Sequence, residues 1–294
     1  MVDASIESDA YAWPDPMLLP TCPVIAIGGY NDFCDVCVEE TQLDELVLAI
    51  DQHPIAATAL VQVLRHNVSA SVHDGLLAES LTYSNLQQSS EFQSWLQQRH
   101  ADHPPQELDD DHEPVLGIER DAERYTITLN RPKKHNAYSQ ALKDQLCSAL
   151  HVPCVDDSIT EITIRGNGKS FCAGGDLDEF GSVTDAQLAH LSRTTRSAAP
   201  LIHQIRDKIR VELHGACIGA GIELPAFAGA ISAREDAFFQ LPEVAMGLIP
   251  GAGGTVSICK RIGKSRTTYM ALTNKRIDAQ AGIEWGLIDE LTPG

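Results

Sequence analysis

Three times between Ile162 and Thr255 a short apolar run leads into a cluster of glycine and alanine, and this recurrence restricts the fold of the 294-residue chain more than any other feature. The clusters are 170–176 (SFCAGGD), 215–223 (GACIGAGIE) and 247–255 (GLIPGAGGT). The first follows an expected strand over 162–165, the second a strand over 209–214, and the third a strand over 237–240 extended by Leu241-Pro242-Glu243. Small residues at such junctions allow close backbone approach, and a helix that starts there leaves its first peptide N–H groups without partners. Strands alternating with helices in this way predict an α/β architecture with parallel strands.

The rest of the second part fits that scheme. Residues 116–120 and 125–130 alternate around Asp121-Ala122-Glu123 and predict a β-hairpin. Ser139 is placed to cap a helix over 140–151. A long helical stretch is expected over 184–207, helical continuation through 215–229, a strand at 229–233, and helices near 255–261, 265–273 and 279–285.

Charge divides the chain. Residues 1–114 carry 20 acidic side chains against two basic ones, Arg65 and Arg99, whereas 115–294 carry 21 against 20. An acidic first part repels phosphate backbones and anionic lipid, so neither nucleic acid nor a membrane surface is expected as a partner. Residues 1–23, with Pro14, Pro16, Pro20 and Pro23, predict an extended arm. Apolar positions at helical spacing then run through Leu46, Val47, Ile50, Ala57, Leu60, Val61 and Leu64, and Ser89 opens a further helix before Phe92. Residues 43–99 are read as a small helical bundle, and 100–115, with a double proline and an acidic run, as a linker. Two domains follow: an acidic N-terminal extension over 1–114 and a core over 115–294.

No run of 18 apolar residues is present, and the acidic start lacks the features of a secretory signal. The eight cysteines do not form a disulfide framework. Cys34 and Cys37 make a CxxC without a second pair or a histidine cluster at zinc spacing, so no metal is expected. A reducing, cytoplasmic setting is the expectation.

The candidate chemistry lies in the glycine-rich clusters. Two peptide N–H groups from different clusters, aimed at one point, would stabilise negative charge developing on a carbonyl oxygen. Glu223, beside Ile222 and Leu224, and Glu243, between Pro242 and Val244, are carboxylates in apolar surroundings. Such groups are either paired structurally or form an acid–base pair with perturbed pKa values.

Five motifs in order resemble the enoyl-CoA hydratase/isomerase (crotonase) superfamily over roughly 116–293: LNRPKKHNAYS from Leu129, SFCAGGDLDEF from Ser170, HGACIGAGIEL from His214, FFQLPEVAMGLIPGAGGT from Phe238, and AGIEWGLID from Ala281. The resemblance implies a crotonase-like spiral of ββα units, here preceded by a small helical region. It places the oxyanion hole on the backbone N–H groups of Ala173 and Ala220, and the catalytic carboxylates on Glu223 and Glu243. It assigns acyl-CoA contacts to Lys133, Lys134, His135, Ala137, Gly174, Gly175 and Asp176. It implies hydration of a 2-enoyl-CoA in fatty acid metabolism, with no cofactor beyond the coenzyme A of the substrate, by a homotrimer or dimer of trimers. Alternatives within the superfamily are double-bond isomerisation, thioester or C–C cleavage and cofactor-free oxygenation; a non-catalytic acyl-CoA-binding or scaffolding role is the remaining one. Family members continue past the last motif into a helical region that helps cap the site and build trimers, whereas this sequence stops at Gly294. The 43–99 segment is therefore expected to supply that cap or interface.

Overall fold

The computed structural model describes residues 20–29, 33–103 and 114–293. The first part holds two short parallel strands, β1 (Ile25–Ile27) and β2 (Val36–Val38), then helices α1 (Glu40–Gln52), α2 (Pro54–Asn67), α3 (Val72–Leu86) and α4 (Ser90–Asp102). The second begins with the expected hairpin, β3 (Leu116–Asp121) and β4 (Arg124–Leu129), followed by α5 (Gln140–Val155) and β5 (Glu161–Gly166). Then come α6 (Ala186–Thr195), α7 (Ala198–Gln204), β6 (Ile209–Leu213), β7 (Ala216–Ile218) and α8 (Ala220–Glu223). The chain finishes with β8 (Ala230–Arg234), β9 (Phe238–Gln240), α9 (Gly254–Thr273), β10 (Ile277–Asp278), α10 (Ala279–Trp285) and β11 (Glu290–Thr292).

Two sheets organise the second part. The larger runs β11-β8-β6-β5-β4-β3 and is parallel except for the β3–β4 hairpin; the smaller runs β10-β9-β7. The consecutive pairs β6–β7 and β8–β9 each place their first strand in the larger sheet and their second in the smaller, and a helix follows. That is the expected repeating ββα arrangement. In β6, buried Ile209, Val211 and Leu213 alternate with exposed Arg210 and Glu212, the period of a strand with one covered face.

Three expectations are corrected. The helix after Ser139, whose Oγ accepts from Leu142 N, continues to Val155 through Pro153. Proline removes the bond to the carbonyl four residues back, and that carbonyl, Ala149 O, instead accepts from Tyr125 OH (3.3 Å). The stretch 184–207 breaks between Thr195 and Ala198 into α6 and α7. The continuous helix expected over 215–229 is replaced by β7 and the four-residue α8, because 216–218 pair with β9.

The charge boundary is not a packing boundary. One hydrophobic core includes Leu46, Leu60 and Leu64 of the helical region together with Val256, Ile258 and Met270 of α9. Ties cross at several places. Asp35, fully buried, is paired with Arg65 (2.6 Å) and Lys264 (3.6 Å); Gln42 Nε2 donates to Tyr269 OH (3.0 Å) and Cys37 N to Ser265 Oγ (2.9 Å). The linker expected from residue 100 begins inside α4, and 104–113 lie outside the described residues, as does most of the arm expected over 1–23. Among the described residues no single helix is long and apolar enough to cross a membrane.

Candidate active site

The tight turn between β7 and α8 positions the first carboxylate. Gly219 has φ +50° and ψ −121°, a conformation that L side chains rarely adopt. A Cβ there would lie 2.5 Å from Glu243 Oε1 and 3.7 Å from Glu223 Oε1. The two carboxylates therefore border one point, and only glycine leaves that point open.

Their environments differ. Glu223 is 2% exposed, and its Oε2 accepts from Ala252 N (2.7 Å) and Gly254 N (2.8 Å). Burial pushes its pKa up to about 7, opposed by those two N–H bonds, which favour the ionised form. Glu243 Oε2 is buried without a hydrogen-bond partner among the described residues. Burial first, and then the charge of Glu223, hold Glu243 well above the usual carboxylate range.

Both carboxylates line a cavity of about 530 Å³. Ala220 and Gly175 are also in its wall, and neither N–H has a protein acceptor among the described residues. Ala220 is the first residue of α8, where a helix leaves its N–H free. At Gly175 the adjacent bonds, Tyr138 N to Gly174 O (2.7 Å) and Asp176 N to Tyr138 O (3.3 Å), leave its own N–H facing away from Tyr138. Ala173 does not fit its expected role. Its N–H donates to His135 O (3.0 Å), and Ala173 is not in the cavity wall. The residue type was misleading here: the free donor lies two positions on, where the chain leaves its bridge with 138.

Of the remaining expected contacts, Lys133, Lys134, His135, Ala137 and Gly174 lie in a braced loop outside that wall. Lys133 is exposed, while Lys134 Nζ pairs with Asp178 (3.2 Å), which also receives Arg99 of α4 (3.1 Å). His135 Nδ1 lies 3.0 Å from Ser170 Oγ, and Ala137 O accepts from Arg131 (2.7 Å). Gly175 and Asp176 reach the cavity, and Gly174 engages Tyr138 through its carbonyl. The Asp176 carboxylate, however, is tied to Arg131 (2.9 Å) and accepts from Asp178 N (3.2 Å), so it shapes the loop rather than offering a free ligand.

Residues of the helical region that the motifs did not reveal also enter the site. Tyr83 of α3 and Gln87, which follows the end of that helix, line the cavity. The Tyr83 ring occupies the place of a side chain at Gly251, where a Cβ would come within 2.4 Å of it. Arg193 of α6 lies over the Tyr83 ring (4.5 Å) and donates to Ser80, Ser84 and Gln87, joining α3 to the cavity's edge. The expectation that 43–99 caps the site is met by this packing. Its sequence signal was the four-residue spacing of Gly75, Glu79 and Tyr83 on one helix face.

Comparison with known proteins agrees with this architecture. The sequence pattern of the enoyl-CoA hydratase/isomerase family matches residues 119–294. The chain is 34% identical over 178 residues to the 2,3-dehydroadipyl-CoA hydratase of Escherichia coli, covering 60% of this chain and 69% of that one. It is 36% identical over 167 residues to the mitochondrial enoyl-CoA hydratase of Pongo abelii, covering 57% of each. The chain thus spans between 57% and 69% of the length of these relatives. Crystal structures of enoyl-CoA hydratases from Thermoplasma volcanium and Mycobacterium smegmatis superpose with a TM-score of 0.57 each, at 29% and 28% identity. Each match covers 62% of this chain, and 73% and 71% of the respective neighbour. With the fold, the motif order and the family pattern in agreement, the chain belongs to the enoyl-CoA hydratase/isomerase family.

Proposed function

We propose that the protein adds water across the double bond of a 2-enoyl-CoA thioester. The observation that carries this reading is the pair of carboxylates around Gly219, one held by peptide N–H groups and one with a buried oxygen that has no partner among the described residues. Attack of water at C3 moves the electron pair of the double bond through C2 onto the thioester oxygen. Gly175 and Ala220 supply the two N–H groups proposed to stabilise that enolate, each such donor being worth about 3–4 kcal/mol. Glu223, the more favoured in its ionised form, takes the proton of the attacking water. Glu243, held protonated, gives its proton to C2 as the enolate collapses, so that one water is consumed and the carboxylates exchange protons with solvent before the next turnover.

On this reading no cofactor is required beyond the coenzyme A of the substrate. The Lys133–Ala137 loop remains the proposed rim for its pantetheine and phosphates, with a trimer or dimer of trimers as the proposed assembly and the cytoplasm as its place. The test follows loss of the conjugated thioester absorbance of crotonyl-CoA and of longer and aromatic enoyl-CoAs. Wild type turns over and Glu243→Gln does not. Binding of acyl-CoA without turnover of any of them would refute hydration and point to another reaction of the same enolate.

A further inference from the structure

Helix α3 turns one face toward the third glycine-rich turn. Gly75, Glu79 and Tyr83 share that face at four-residue spacing. A Cβ on Gly75 would lie 2.8 Å from Val256 Cγ2, so its absence lets α3 approach α9 closely. One turn on, Glu79 is 2% exposed, and its carboxylate accepts from Gly253 N (2.7 Å), Thr255 N (3.0 Å) and Thr255 Oγ1 (2.6 Å). Glu223 takes the alternate donors of the same turn, Ala252 N and Gly254 N. Four consecutive peptide N–H groups are thereby divided between two carboxylates, one from the helical region and one from the core. Asn67 of α2 braces the arrangement through Thr255 Oγ1 (2.9 Å) and Thr255 O (3.2 Å).

An apolar side chain would dock α3 at lower cost, because a carboxylate taken out of water without a cation partner is expensive. Glu79 has no ion pair among the described residues, and it lies outside the segment that the family pattern matches. We propose that Glu79 is a positioning residue of the acid–base site: it holds the 252–255 turn in the conformation that presents Ala252 and Gly254 N–H groups to Glu223. The inference rests on Glu223 being the base of the proposed hydration. It makes the helical region a working part of the site rather than a cover for it.

The ionisable groups facing Glu79 are Glu223 of α8, Glu243 after β9, Tyr83 on α3 itself and Arg193 of α6; α2 and α9 present Asn67 and Thr255. Burial and the charge of Glu223 push Glu79 up to about 8, and the charge of Glu79 in turn adds to what raises Glu243. Removing its charge therefore moves the Glu243 titration to lower pH, whereas loosening the turn weakens the N–H bonds that favour ionised Glu223 and moves that titration to higher pH.

The experiment compares the full chain with Glu79→Gln and Glu79→Asp. Its readouts are hydration kinetics against pH, the melting temperature, and carbon-13 NMR titration of the glutamate side-chain carboxyls. Glu79→Gln is expected to lower kcat at least 10-fold with KM within threefold, and to narrow the kcat/KM profile, the Glu223 titration moving to higher pH and that of Glu243 to lower pH. Glu79→Asp keeps the charge at a shorter reach, so the limbs move back toward their wild-type positions while kcat stays below that of wild type. A lower melting temperature with unchanged kcat, pH profile and carboxyl titrations would reduce Glu79 to a docking group and overturn the proposal. If Glu79→Gln does not fold, wild-type kcat with a shorter-reaching Glu79→Asp would also overturn it. Wild type inactive on every enoyl-CoA, with the Glu223 titration still moved in Glu79→Gln, would sink hydration while sustaining the positioning role.

Discussion

The helical region and the family core meet at the 247–255 turn, and they contribute to it in different chemical terms. The core supplies small residues, N–H groups at Gly175 and Ala220 that are free among the described residues, and the two carboxylates bordering Gly219. The helices supply side chains: Glu79 on the turn, Tyr83 on Gly251, Asn67 on Thr255 and the Ser80–Ser84 acceptors for Arg193. A backbone donor can be placed by a short motif within one element. A side-chain brace needs two elements brought together, and its motif is spread over the chain. The region with strong motifs therefore carries the proposed reaction, and the region without them carries the walls and supports.

The comparison can be broken most directly at the carboxylates. Glu243→Gln and Glu223→Gln should each lower kcat by roughly 10²- to 10⁴-fold, the range for a lost general acid or base, measured on the best enoyl-CoA. If only one of them matters, the two-carboxylate reading gives way to isomerase-like chemistry. The division of labour between the regions is tested next at Asp35. Asp35→Ala leaves Arg65 and Lys264 without their buried carboxylate and should destabilise the protein by about 3–5 kcal/mol. Because the two regions share one core, urea unfolding followed by tryptophan fluorescence and by far-UV circular dichroism should remain a single coincident transition. Separate transitions would show that the charge boundary is also a folding boundary.

A smaller effect concerns pH. Glu79 and Glu223 are raised from 4.5 to about 8 and about 7, and Glu243 well above 4.5. Between pH 4.5 and about 8 the folded state therefore binds more protons than the unfolded one, so stability falls as pH rises through that window. Glu243→Gln should lose part of this slope and, because the amide is neutral without taking up a proton on folding, be more stable than wild type at pH 8. A variant less stable than wild type at that pH would contradict the unpartnered Oε2. The smallest effect is expected at Lys275→Ala, which removes a half-exposed pair with Glu45 (2.6 Å) between the regions. Its cost should be below about 1 kcal/mol by chemical denaturation.

Much of the fold was legible because its signals are local. The 116–129 hairpin, the Ser139 and Ser89 caps, the strands 161–166 and 209–213, and the helical character of 43–99 all follow from period and punctuation. The break of 184–207 at Arg196 and Ser197 was hidden by a helical pattern running through it, and β7 was hidden because a three-residue strand is defined by its partner β9.

By itself, the sequence determined the family, the α/β class, the place of Glu223 and Glu243, and the existence of a strongly acidic helical region beside a nearly neutral core. Those rest on contiguous residues whose geometry is set within one turn or strand. Only the tertiary structure decided that Ala173 gives its N–H to His135 while Gly175 keeps its own free, and that Glu79 shares a turn with Glu223 from 144 positions away. The reason is physical: whether a donor is free, or a carboxylate supported, depends on what lies within hydrogen-bond reach, and that is settled by packing between segments far apart in the chain.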